Sequence, residues 1–137
     1  MRYLGLDLGT KTLGISMSDK TGIIASNFKT LRFNEKDYDA TLKPLKEIVS
    51  EYDIKCIVLG LPKNMNNSLG FRSEETLEYK KKIEDFLNIE VVLQDERLTT
   101  IEANNYMLEA DISRKKRKEK KDELAASIIL QAYLDRK

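Results

Sequence analysis

The 137-residue chain is 41% hydrophobic and 34% charged, the composition of a folded globule long enough to bury a core. Its net charge of +1 announces no global field for a polyanion, and it has no histidine. That absence excludes Ser-His-Asp and Cys-His catalysis, an imidazole base and Cys/His zinc sites, leaving carboxylates, lysines or metal ions to carry any chemistry.

Met1 to Leu6 run directly into a strand pattern without a signal-peptide signature, and no apolar run is long enough to span a bilayer. A cytoplasmic protein with no membrane partner is expected. Over residues 2–8, Leu4, Leu6 and Leu8 face one way while Tyr3, Gly5, Asp7 and Gly9 face the other. A tight connection at Gly9-Thr10-Lys11 leads to a second strand carrying Leu13, Ile15 and Met17. Asp19 to Gly22 reads as a turn, and Ile23 to Phe33 as a third strand. The period then becomes helical through Leu42, Leu45, Ile48, Val49 and Tyr52, with Pro44 near the start or kinking it. Cys56 to Leu61 is a continuous apolar strand, as expected when both faces are covered, and Cys56 within it reads as a small core residue. A polar loop precedes a helix over about 72–87, with Leu77, Ile83, Phe86 and Leu87 on its inner side. Ile89 to Leu93 is a fifth strand. A capping box at Thr99-Thr100-Ile101-Glu102 starts a helix to about Glu109, and a last helix runs from about Lys120 to Leu134. This order predicts one α/β domain over 1–137, a mixed sheet with helices on both faces reached by right-handed crossovers.

Asp7 interrupts an apolar strand, and Gly5 and Gly9 beside it on the same face suggest open space for a ligand. A carboxylate in such a place asks for a cation, a metal or a donor, the alternative being a structural aspartate bonded to backbone amides. Glu96 follows the fifth strand, where ligands of α/β sheets collect, although Asp95 competes and either acid can pair with Arg97 at the surface. Asp122 continues the stripe Ala125, Ala126 and Ile129, whose small alanines allow close approach to a sheet. It serves equally as a first-turn acid on a helix dipole. If the three acids converge they can hold Mg²⁺ or Mn²⁺, two such ions about 3.5–4 Å apart being suited to phosphodiester hydrolysis. From Arg114 to Lys121 seven bases and one acid adjoin Asp122. That run is either a solvated segment or a phosphate-steering arm.

Gly5-Leu6-Asp7-Leu8-Gly9-Thr10-Lys11 with Gly14, Val58-Leu59-Gly60-Leu61-Pro62, Asp95-Glu96-Arg97-Leu98-Thr99-Thr100, and Asp122-Glu123-Leu124-Ala125-Ala126 with Ile129-Leu130 together resemble the YqgF family of pre-16S ribosomal RNA nucleases, also called Holliday junction resolvase-like proteins. The likeness spans essentially the whole chain. It implies a ribonuclease H-like fold with sheet order 3-2-1-4-5, metal ligation and catalysis by Asp7, Glu96 and Asp122, and maturation of the 5′ end of small-subunit ribosomal RNA. Lys11, Arg72, Arg97 and the cluster Arg114, Lys115, Lys116 and Arg117 are expected to meet the phosphates of the nucleic acid, by a monomer or weak homodimer. Two positions depart from the family pattern: Thr12 stands where arginine is common, and Asn66-Asn67-Ser68 replaces the usual turn.

Three other readings compete. A four-way-junction DNA nuclease would use the same acids but must be a symmetric dimer. An ATP-binding domain of the actin and sugar-kinase kind is suggested by Asp7-Leu8-Gly9-Thr10, but needs two such domains where this chain has room for one. A non-catalytic RNA-binding module of the same fold would not need all three acids.

Overall fold

A computed structural model describes residues 2–61, 71–95 and 114–136, the side chains of 71–73, 95 and 114–123 excepted. Strands β1 (Arg2–Leu8), β2 (Thr12–Ser18) and β3 (Ala25–Arg32) form an antiparallel meander. Helix α1 (Leu42–Tyr52), strand β4 (Ile54–Leu61), helix α2 (Phe71–Leu87) and strand β5 (Glu90–Asp95) follow, with β4 and β5 running parallel to β1. Helix α3 (Arg114–Arg136) is the last described element. The sheet has five strands in the order β3-β2-β1-β4-β5.

Period-two alternation sends each strand's side chains to two cores. Leu4, Leu6 and Leu8 join Leu13, Ile15, Ile57 and Leu59 beneath Leu45, Ile48, Tyr79 and Ile83 of α1 and α2. On the other face Tyr3, Cys56 and Val58 meet Ile129, Leu130 and Leu134 of α3. Strand β4 supplies both cores, which is why its sequence is apolar without alternation. Burial, with the Glu90 carboxylate as the next contributor, pushes the Cys56 thiol up to about 12. At neutral pH it is a core group and offers no thiolate.

Helices α1 and α2 end alike. Asp53 and Asn88 adopt left-handed φ of 53°, and their N–H groups return to Val49 O and, at 3.0 Å, Glu84 O. Each cap turns the chain into the next parallel strand. Pro44 lies in the first turn of α1, where its missing N–H has no intrahelical partner to lose.

Four sequence expectations are corrected. Leu77 and Phe86 are 36% and 47% exposed. Ile83 and Leu87 do face the core as expected, but Thr76 and Tyr79 complete the inner stripe, with Tyr79 bonded to the Thr41 hydroxyl and Phe86 lying outside under Lys46. Strand β3 starts at Ala25, because the Asp19 carboxylate takes the N–H groups of Ile23 (2.9 Å) and Ile24 (3.1 Å) and holds both in the turn. Helix α3 begins at Arg114 rather than near Lys120. Lysine and arginine are good helix formers and no glycine or proline interrupts the run, so the basic stretch is the opening turns of a helix and not an arm leading to it. Gly5, lastly, does not leave the space expected of it, because α3 occupies it. The expected helix to Glu109 lies outside the described residues, as do Glu96, Arg97 and the loop at Asn66-Asn67-Ser68. Among the described residues no helix is long and apolar enough to cross a membrane.

Candidate active site

The three parallel strands β1, β4 and β5 end at the same edge of the sheet, Leu61 pairing with Asp95 and Leu59 with both Leu6 and Leu93. Asp7 sits one residue before the end of β1 on the face that α3 covers, and is only half-buried. No side chain among the described residues bonds or ion-pairs with its carboxylate.

The cross-strand row around Asp7 is built from glycines. On β2 its partner is Gly14, which pairs in turn with Thr30 of β3. On the other side, continuing the β1–β4 register by one residue brings Gly60 level with Asp7, and Gly60 pairs with Gln94 of β5. The row therefore reads Thr30, Gly14, Asp7, Gly60, Gln94. Among these, Gln94 is 5% exposed and its Nε2 has no hydrogen-bond partner among the described residues.

Gly5 does not leave open space for a ligand. A Cβ there would collide with Ser16 Oγ and lie 2.7 Å from Leu130 Cβ and 2.9 Å from Ala126 O. The glycine lets α3 lie directly on the strand, pinned by the Ser16 hydroxyl donating to Ala126 O at 2.7 Å. A Cβ at Gly14 would meet Ala126 Cβ at 3.5 Å and Asp7 Cβ at 3.7 Å, ordinary contacts. Farther along, the rings of Tyr3 and Tyr133 stand 5.9 Å apart. Contacts thus move down α3, from Tyr133 through Leu130 to Ala126, as they move up β1 from Tyr3 toward Asp7. The helix is antiparallel to the strand, and its amino-terminal turns extend toward the carboxyl end of β1. The Gln131 side chain fixes the other flank, accepting from Ala25 N–H at 2.9 Å and donating to Ile23 O at 2.9 Å.

Beyond Asp7 the chain turns tightly, Gly9 N–H donating to Thr12 O at 2.8 Å. Exposed Lys11 rides on this turn, which is stitched to the segment after β3 by Phe33 N–H to Lys11 O (2.9 Å) and Lys36 N–H to Thr10 O (2.7 Å). Arg32, exposed and paired in register with Thr12, lines an open cleft of about 410 Å³ with Phe33, Asn34, Asp37 and Ala40. The arginine that Thr12 displaces from the family pattern thus has a neighbour of the same chemistry on the next strand.

Of the expected site residues, Asp7 lies near the end of β1 at this edge and Lys11 on the turn that follows it. Asp122 lies in α3, one helical turn before Ala126, and Arg114, Lys115, Lys116 and Arg117 form that helix's first residues, but the side chains of all five lie outside the described residues. Arg72 lies at the start of α2 with its side chain likewise outside, and Glu96 and Arg97 lie wholly outside. Among the described residues no three potential ligands cluster; of the proposed triad only the Asp7 side chain is described. The sequence singles out Gly14 and Gly60 only as motif residues, and Gln94 and Arg32 not at all. Only the pairing register, a tertiary property, brings them beside Asp7.

An antiparallel three-strand meander extended by two parallel strands, covered on both faces and bearing an acid near the carboxyl end of its first strand, defines a ribonuclease H-like protein. The same fold is found in Thermus thermophilus RuvC in complex with Holliday junction substrate (TM-score 0.59, 12% identity, covering 99% of this chain and 95% of that one). Residues 1–136 match the family described as RuvX, Holliday junction resolvase, and the chain belongs to that family. It is 50% identical over 135 residues to a Bacillus subtilis (strain 168) protein named "Putative pre-16S rRNA nuclease", covering 98% of each. A protein of the same name from Geobacillus sp. (strain WCH70) is 47% identical over 137 residues, covering 100% of this chain and 99% of that one.

Proposed function

We propose that this chain is a metal-dependent nuclease, a single domain over 1–137 that hydrolyses phosphodiester bonds of precursor small-subunit ribosomal RNA and matures its 5′ end. The observation that carries the reading is Asp7, a half-buried carboxylate without a described partner, at the strand edge toward which α3 descends. Two residues along β1 advance about 6.6 Å, and four along a helix about 6 Å. The step from Gly5 to Asp7 therefore matches the step from Ala126 to position 122, which supports Asp122 as a companion of Asp7. Glu96 follows directly on Asp95, the last residue of β5 at the same edge.

The donor set suits Mg²⁺ or Mn²⁺, hard ions that take carboxylate oxygens, and an unpaired acid at a ligand-accessible edge is what such an ion requires. Two cations held by Asp7, Glu96 and Asp122 would supply Lewis acidity for attack and departure at the phosphorus. The chain's other residues bind and orient. Lys11 and Arg32 present cations on the β2–β3 side of Asp7, and Arg72, Arg97 and the opening turns of α3 would add theirs to the phosphate track. The nucleic acid is the partner, with the protein a monomer or weak homodimer. The cytoplasm is the compartment proposed, in keeping with a ribosomal substrate and a lone, buried, unreactive cysteine.

The names of the relatives favour precursor ribosomal RNA, and the family's description makes a four-way DNA junction the second reading. Purified protein with Mn²⁺ or Mg²⁺, offered both substrates side by side, is expected to cut the RNA precursor and leave the junction intact. Paired symmetric cuts in the junction by a dimer would establish the second reading instead. Binding without cleavage of either would leave an RNA-binding module and overturn the nuclease reading.

Replacing Arg114, Lys115, Lys116 and Arg117 together with Ala is expected to weaken RNA binding and to flatten the plot of log K against log salt. Each lost phosphate contact lowers that slope by about 0.7–0.9. An unchanged slope would take these bases off the RNA.

A further inference from the structure

Gln94 lies on the α3 side of the sheet, since Val92, two residues before it, packs into the core beneath that helix. Its amide nitrogen is buried without an acceptor among the described residues. A polar group left so costs about 1–3 kcal/mol and is ordinarily matched. In the same row, across Gly60, stands the carboxylate of Asp7, also without a described partner. Two strand spacings, about 10 Å between Cα atoms, separate the two residues. Gly60 has no side chain to stand between them. A donor and an acceptor, neither with a partner among the described residues, thus share one row, and Gln94 directly precedes the acidic pair Asp95-Glu96.

We propose that Gln94 is a positioning residue for the acidic site: its Nε2 donates through one bridging water to the Asp7 carboxylate when a divalent cation is held there, leaving the other carboxylate oxygen to the cation. This rests on the metal-nuclease reading above. Hydrogen bonds to metal-ligating carboxylates orient them, and losing one typically weakens metal binding about 10–100-fold. Among the described residues the amide nitrogen has no other acceptor, which separates it from a structural glutamine.

The test is Gln94→Met, which keeps the length and removes both polar atoms. Mn²⁺ binding is measured by the electron paramagnetic resonance signal of the free ion, and melting is followed in metal-free buffer. The expected result is Mn²⁺ affinity at least about tenfold weaker than the parent's, with a metal-free Tm equal to or above the parent's. Unchanged Mn²⁺ affinity overturns the proposal while leaving the nuclease reading standing. A variant that melts lower or fails to fold overturns it too, because the amide then has its acceptor in the empty protein. If the parent itself binds no Mn²⁺, both readings fall.

Discussion

Asp7→Asn is expected to reduce Mn²⁺-dependent cleavage of a precursor ribosomal RNA fragment about 10³-fold while leaving the protein folded. The substitution conserves shape and removes the charge. A cation's stabilisation of a phosphoryl transition state amounts to several kcal/mol, and each 1.36 kcal/mol is a factor of ten in rate. The carboxylate is half-buried and unpaired among the described residues, so its loss breaks no ion pair described there, and the metal-free Tm should stay at the parent's value or rise slightly. Mn²⁺ should raise the Tm of the parent by mass action and leave that of the variant nearly unmoved, a readout independent of any substrate. A variant that cuts as fast as the parent would remove Asp7 from the chemistry.

Gly5→Val should be nearly as damaging by a different route. The built Cβ already lies 2.7 Å from Leu130 Cβ and 2.9 Å from Ala126 O, and the latter is helix backbone that cannot swing aside. Valine adds further methyls to that collision, so α3 must lift from the sheet. A cost of about 3 kcal/mol follows from overpacking of this kind, or a fall in Tm of about 10 °C for a chain of this length. Cleavage should fall with it, since the displaced helix carries Asp122. Gly14→Ala is the control: its Cβ would meet Ala126 Cβ at 3.5 Å, an ordinary contact, so its Tm should stay close to the parent's. Equal melting of Gly5→Val and the parent would show that the helix is not seated on Gly5.

Much of the fold was legible in the chain. Alternation at Leu4, Leu6 and Leu8, the unbroken apolar run of β4 and the helical spacing from Leu42 to Tyr52 each follow from the local period of side chains, and all three elements form. Element boundaries were less legible where a local competitor intervened. The Asp19 carboxylate captures Ile23 and Ile24, and the basic run propagates α3 backward because nothing in it stops a helix.

The candidate site divides along the same line. Composition alone narrowed any chemistry to carboxylates, lysines or metal ions, because a chain without histidine has few other means, and Asp7 stood out as a charge in an apolar strand. What sequence could not assign was the purpose of the glycine beside it. Gly5 admits a helix whose contacting residues, Ala126 and Leu130, stand more than 120 positions away, and neither strand period nor turn chemistry encodes what lies across a sheet. The row Thr30, Gly14, Asp7, Gly60, Gln94 likewise draws one residue from each of five strands. Burial of Gln94, and with it the orphaned amide, exists only once register and helix packing have closed around it, since desolvation belongs to the folded surroundings and not to the residue.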